Sequence, residues 1–105
     1  MKAIETARDV IEKFGTGDVF VIAEKSGVKI VYENWHPVTI GEYDKARKTI
    51  FVNRRALTDK RFSEHKIVAH ELGHFFAAEF NLDRRTEESF AAVFADELLK
   101  LSANG

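Results

Sequence analysis

His70-Glu71-Leu72-Gly73-His74 spells His-Glu-x-x-His, inside a stretch where Ile67, Val68, Leu72, Phe75 and Phe76 recur at helical spacing. Two histidines four apart stack on one helical face, so both imidazoles can reach a single ion. The residue after a ligand histidine is turned by about 100° around the helix. Glu71 is therefore carried beside the ion rather than onto it, where it can take a proton from water. The reading is metal-assisted hydrolysis, of a peptide bond in the first instance. The helix that carries the motif is expected from about Asp59 to Glu79, with Phe62 also on its apolar side.

A catalytic zinc takes three protein ligands and keeps one position open for water. His70 and His74 supply two. The chain has no cysteine, so the third must be a histidine or a carboxylate, and no disulfide framework exists. A short polar link, Asn81 to Arg85, leads to Thr86 as the expected N-cap of a last helix. That helix runs to about Leu101 with Phe90, Val93, Phe94, Leu98 and Leu101 on its core face. A short link makes the two helices an antiparallel pair, which brings Glu87 and Glu88 within reach of His74. Glu88 shares its face with Ala91, Ala92 and Ala95, small residues that let helices approach, whereas Glu87 leads to Phe90 and Phe94. Glu88 is the expected third ligand and Glu87 the fallback. Acids in a first helical turn are also favoured by the dipole alone, so spacing leaves both open. Gly73 predicts a close backbone approach, since a mid-helix glycine costs about 1 kcal/mol relative to alanine. Helix-on-sheet packing and a demand of the site explain it equally well.

Upstream, Ile4, Ala7, Val10, Ile11 and Phe14 mark a first helix stopped by Gly15-Thr16-Gly17. Asp18 is the expected N-cap of a short second helix ended by Ser26-Gly27. Val28 to Glu33 reads as a strand. Asn34-Trp35-His36-Pro37 reads as a loop. Thr39 to Tyr43 and Thr49 to Asn53 read as a hairpin around Asp44 to Lys48. The fold class is α+β: a small, about three-stranded sheet with an antiparallel hairpin packed on helices, and the motif on the third helix. Thr49 to Asn53 is the strand edge to which an extended substrate is expected to add. Among the other candidates, His65 points to a different face from His70 and suits a surface role. His36 suits an exposed loop. Tyr43 could donate to a developing oxyanion, although a plain strand role accounts for it more simply. Arg84-Arg85 reads as a solvated link.

At 105 residues the chain is one domain, 1–105, large enough for a real core, and nine phenylalanines supply bulk for it. A net charge of −1 leaves no electrostatic footprint for direct nucleic-acid or anionic-membrane binding. No apolar run is long enough to span a bilayer, and Met1 to Asp9 lacks a signal peptide's hydrophobic stretch. A cytoplasmic, soluble location is expected.

Phe51-Val52-Asn53, then Val68-Ala69-His70-Glu71-Leu72-Gly73-His74, then Glu88-x-x-Ala91-x-x-Phe94-Ala95-x-Glu97-Leu98-Leu99 together resemble the ImmA/IrrE metallopeptidase domain. Ile22-Ala23 followed by Ser26-Gly27-Val28-Lys29-Ile30 is similar to that family's entry into its first strand. The resemblance spans roughly residues 18 to 100. It implies a zincin-like fold, a Zn2+ held by His70, His74 and Glu88, and Glu71 as the catalytic glutamate. It further implies a protein substrate, a helix-turn-helix repressor of a mobile genetic element or a stress regulon. Ala92 stands where the family commonly has Asn, and Lys100-Leu101 replaces a frequent Met-Pro. No accessory domain accompanies the motif, so recognition is expected from a partner or from the domain's own cleft. The competing reading is a non-proteolytic partner-binding module, such as one half of a toxin–antitoxin pair.

Overall fold

The computed structural model of the chain describes residues 2–34 and 39–104. Its elements follow in the order α1 (Lys2–Phe14), α2 (Val19–Lys25), β1 (Lys29–Glu33), β2 (Gly41–Asp44), β3 (Thr49–Asn53), α3 (Glu64–Ala77) and α4 (Arg84–Asn104). Short 3-10 turns at Arg54–Thr58 and Ala78–Phe80 lead into α3 and out of it. The α+β class, the three strands and the placement of the motif on the third helix are as the sequence implies. The expected loop at Trp35, His36 and Pro37 lies outside the described residues. Among the described residues, no helix is long and apolar enough to cross a membrane.

Helix α1 buries Ala3, Ala7 and Val10, and α2 buries Val19, Ile22 and Ala23. The Asp18 carboxylate accepts from the backbone N–H of Phe20 at 2.9 Å and of Val21 at 3.3 Å, the cap that the sequence implies. Gly15 and Gly27, which end these helices, adopt φ of +70° and +75°, a region that costs glycine nothing. Helix α1 lies against α4. Arg8 there meets the buried Glu97 carboxylate at 3.3 Å, so the one acid on the core side of α4 is not left alone.

The sheet has the order β1-β3-β2. β2 and β3 form the expected antiparallel hairpin, while β1 runs parallel to β3. The expectation that Thr49 to Asn53 is a free edge is therefore wrong. β3 is the central strand, paired on both sides, and the edges belong to β1 and β2. The reason lies in its composition: Ile50 and Val52 are fully buried, and Thr49 and Asn53 nearly or wholly so. A strand buried to that degree suits the middle of a sheet. Fully buried Asn53 ends β3 by donating from its amide to Thr39 O at 2.7 Å and accepting from Arg55 N–H at 3.0 Å. The same residue's backbone N–H bonds Ile40 O at 2.9 Å, which fixes the chain entering β2.

Several element boundaries differ from expectation, β2 running Gly41–Asp44 rather than Thr39–Tyr43. Helix α3 begins at Glu64, not near Asp59. Asp59 instead holds a turn by accepting from Arg61 N–H at 2.9 Å, and Ser63 caps the helix through Lys66 N–H at 3.4 Å. Helix α4 begins at Arg84 and runs to Asn104, and its cap is Asp83 rather than Thr86. The Asp83 carboxylate accepts from Thr86 N–H at 2.8 Å, and that bond holds its pKa below the ordinary aspartate range. Arg84 and Arg85 are thus exposed but helical, not a link. The reversal between the helices is made by Ala78–Phe80 and by Asn81 in the left-handed conformation, φ +49°.

Candidate metal centre

Helix α3 is buried on most of its circumference: Ile67, Val68, Ala69, Leu72 and Ala77 face core, leaving His70 and His74 on the remaining side. Their rings stand 5.2 Å apart, centroid to centroid, as the i and i+4 positions require. Opposite them, α4 brings Glu88 from its second turn, one turn later than a cap at Thr86 would have put it. One carboxylate oxygen lies 2.7 Å from His70 Nε2 and the other 3.1 Å from His74 Nε2. One ligand atom from each of the three residues falls within 4.8 Å of the others. Glu87 stands on the far side of His74, 3.5 Å from Nδ1. The fallback ligand thus meets the nitrogen of His74 that Glu88 does not. A carboxylate near that nitrogen favours the tautomer that leaves Nε2 free for an ion.

The helices meet through Gly73. A Cβ built there would lie 2.6 Å from Ala91 Cα and 3.0 Å from both Ala91 Cβ and Ala91 O. The close approach announced by this glycine is to α4, and helix-on-sheet packing is not its cause. Ala91 provides the small partner expected on that face, whereas Ala92 is exposed.

Glu71 lies against β2 and is 8% exposed. Burial pushes its carboxyl pKa up, and the neighbouring His74 and His70 pull it back less strongly. The backbone N–H of Tyr43 on β2 bonds this carboxylate. Gly41 lets the strand come this near: a Cβ there would sit 2.6 Å from Ile67 Cγ2 and 3.5 Å from Glu71 Oε2. The sequence reading passed over Gly41. A glycine inside a strand pattern is the signal that could have found it.

Two clefts flank the site and share Gly41, His70, Glu71 and Glu88. One, of about 620 Å³, extends over Ile40, Phe62, Ile67, Ala92 and Ala95. The other, of about 480 Å³, is lined by charged residues including Lys45, Arg84 and Glu87. Tyr43 lines this second cleft, with its ring edge-on to Phe75 at 6.0 Å. His65 is exposed, its ring against Phe20 at 5.0 Å, and lies apart from the site as its spacing implies.

The donor set is two imidazole nitrogens and one carboxylate, a set that suits zinc. Neighbouring ligand atoms around a tetrahedral zinc stand roughly 3.3 Å apart; Glu88 here contacts the two histidines directly at 2.7 and 3.1 Å, so small side-chain shifts would admit an ion among the three. The residues fit the ion. No family model matches the chain, and no curated protein matches it either.

Proposed function

We propose that this domain is a zinc-dependent endopeptidase of the ImmA/IrrE type, with a zincin-like fold. The observation that carries the reading is the convergence of His70, His74 and Glu88 from two helices, with a buried glutamate next to the first histidine. Zinc, held by those three residues, would supply a Lewis acid for the carbonyl and a water of lowered pKa. Glu71 takes the proton from the attacking water and later returns it to the leaving amine. Glu71 lies against β2 with 8% of its surface exposed. Tyr43 N–H and the close passage of Gly41 hold the carboxylate in place. Glu87 orients His74 through Nδ1.

An extended peptide would lie along β2, which pairs with β3 on one side only and borders both clefts. The natural substrate on this reading is a helix-turn-helix repressor of a mobile element or stress regulon. The test combines zinc analysis with a cleavage assay on the product of the adjacent gene. Cleavage by the wild type and its loss in Glu71→Gln, with zinc retained in both, supports a peptidase. Intact substrate at stoichiometric, zinc-loaded protein would instead make the domain a non-proteolytic binding module.

A further inference from the structure

Helix α1 and the end of α3 border a groove of about 640 Å³ that shares no lining residue with either cleft at the metal centre. Its apolar lining is buried Val10 with half-buried Phe75, Phe76 and Phe80. Phe76 packs on core Phe94 and Phe80 on core Phe90, each pair of rings 5.5 Å apart. The apolar surface is thus formed before anything docks on it. Along α1 the groove runs from Lys2 to Lys13, about 17 Å at the helical rise, or three turns. Among the described residues no strand residue lines it. A groove between helical banks takes a third helix more readily than an extended chain.

The rim carries three exposed carboxylates, Glu5 and Asp9 one turn apart on α1 and Glu79 after α3. Among the described residues none of the three has an ion-pair partner. The rim lysines turn to aromatic rings instead, Lys2 over Phe80 at 5.3 Å and Lys13 over Phe14, outside the groove, at 5.4 Å. Like charges at i and i+4 work against their own helix, so Glu5 and Asp9 present an uncompensated negative pair beside an apolar surface. Cations on a docked segment would compensate it. The same carboxylates repel an anionic lipid surface.

We infer that this groove docks an amphipathic helix of a partner protein, about three turns long. Its apolar stripe lies on Phe75, Phe76 and Phe80, and two lysines or arginines four residues apart meet Glu5 and Asp9. The inference does not rest on the peptidase reading.

The test uses the full chain and three synthetic helical peptides of about 14 residues, long enough to hold helix. The first has a leucine stripe flanked by lysines at i and i+4. The second has glutamate for each lysine, and the third keeps the lysines but has glutamine for each leucine. The leucine–lysine peptide should bind roughly tenfold or more tightly than either other in calorimetry. It should shift the backbone NMR signals of α1 and of residues 75–80. Glu5→Lys with Asp9→Lys should weaken it about tenfold or more. Glu5→Gln with Asp9→Asn should act in the same direction if four lysines along α1 prevent folding. No binding by any peptide, equal affinity for the lysine and glutamate peptides, or equal affinity when leucine is replaced overturns the dock. Shifts at the metal-site residues instead of the groove also overturn it. Concentration-dependent shifts of α1 without peptide would replace the partner helix by a second copy of this chain and overturn the proposal as stated.

Discussion

Gly73 and Ala91 touch backbone to backbone, so closely that a Cβ at position 73 would stand 2.6 Å from Ala91 Cα. The contact holds the histidine helix and the glutamate helix at the separation that the three donors need. Gly73→Ala should therefore lower stability by roughly 1–3 kcal/mol, the usual cost of overpacking, and should weaken zinc binding at the same time. Adding Ala91→Gly removes the Cβ at 3.0 Å but leaves Cα and O in the way, so the double variant should not recover. Thermal melts and chelator competition would show both effects. Full recovery in the double variant would move the contact off the backbone.

Glu88 and Glu87 occupy different sides of the same imidazole, and their variants should separate. Glu88→Gln removes the anionic donor that reaches both histidines and should cost zinc affinity about a hundredfold or more. Glu87→Gln affects only the orientation of His74 and should cost about tenfold. Competition with a zinc-sensitive dye measures both. Zinc at a hundredfold excess over Kd should stabilise the wild type by about 2.7 kcal/mol, visible as a rise in Tm that a chelator reverses.

Glu71→Gln should keep zinc affinity within about threefold and lower cleavage by roughly 10²- to 10⁴-fold, the range of general acid–base catalysis. The substitution should also change the pH dependence of stability in the metal-free protein. Burial raises the Glu71 pKa above its unfolded value, so its favourable contribution is complete below the ordinary carboxylate range. That contribution is lost as pH rises through the raised value. The glutamine variant loses nothing over that interval. It should be the more stable of the two at neutral pH, with the gap closing as pH falls, in melts recorded with chelator present.

Tyr32 ties the β1 edge to the first turn of α3 by donating its hydroxyl to Glu64 at 2.5 Å. Burial first, then the bond and charge of Glu64, push its pKa up to about 12. The tie is intact below the ordinary phenol range and is lost as pH rises through about 12. Alkaline titration should show late phenolate absorbance for this residue. Tyr32→Phe should remove that transition and cost roughly 1 kcal/mol.

The helices were legible because each carries a periodic apolar face: Val10 and Ala7 on α1, Ile22 on α2, Leu72 on α3, and Phe90, Phe94 and Leu98 on α4. The site was legible for the same reason, since the period that buries Leu72 also turns His70 and His74 to one side. A short reversal between helices placed Glu87 and Glu88 near His74, but spacing alone left the choice between them open. The strand order was not legible. Alternation assigns a face to a strand but says nothing about its neighbours, so the central position of Thr49–Asn53 had to come from its burial. Helix starts were misplaced where an acid could serve either as a turn former or a cap. Asp59 holds a turn and Asp83 a helix, and only the geometry of Arg61 N–H and Thr86 N–H tells them apart.

The reversal between α3 and α4 has a bearing on metal choice. Asn81 N–H bonds Ala78 O at 3.3 Å, while the backbone and side chain of Asp83 take Glu87 N–H and Thr86 N–H at 2.8 Å each. These bonds form a stiff bracket around the chain between His74 and Glu88. The entropy of bringing the donors together is spent when the domain folds, so on the proposed zinc reading an ion would meet donors already gathered. On that reading such a seat would favour ions by radius and coordination number as well as by the general affinity order among divalent metals.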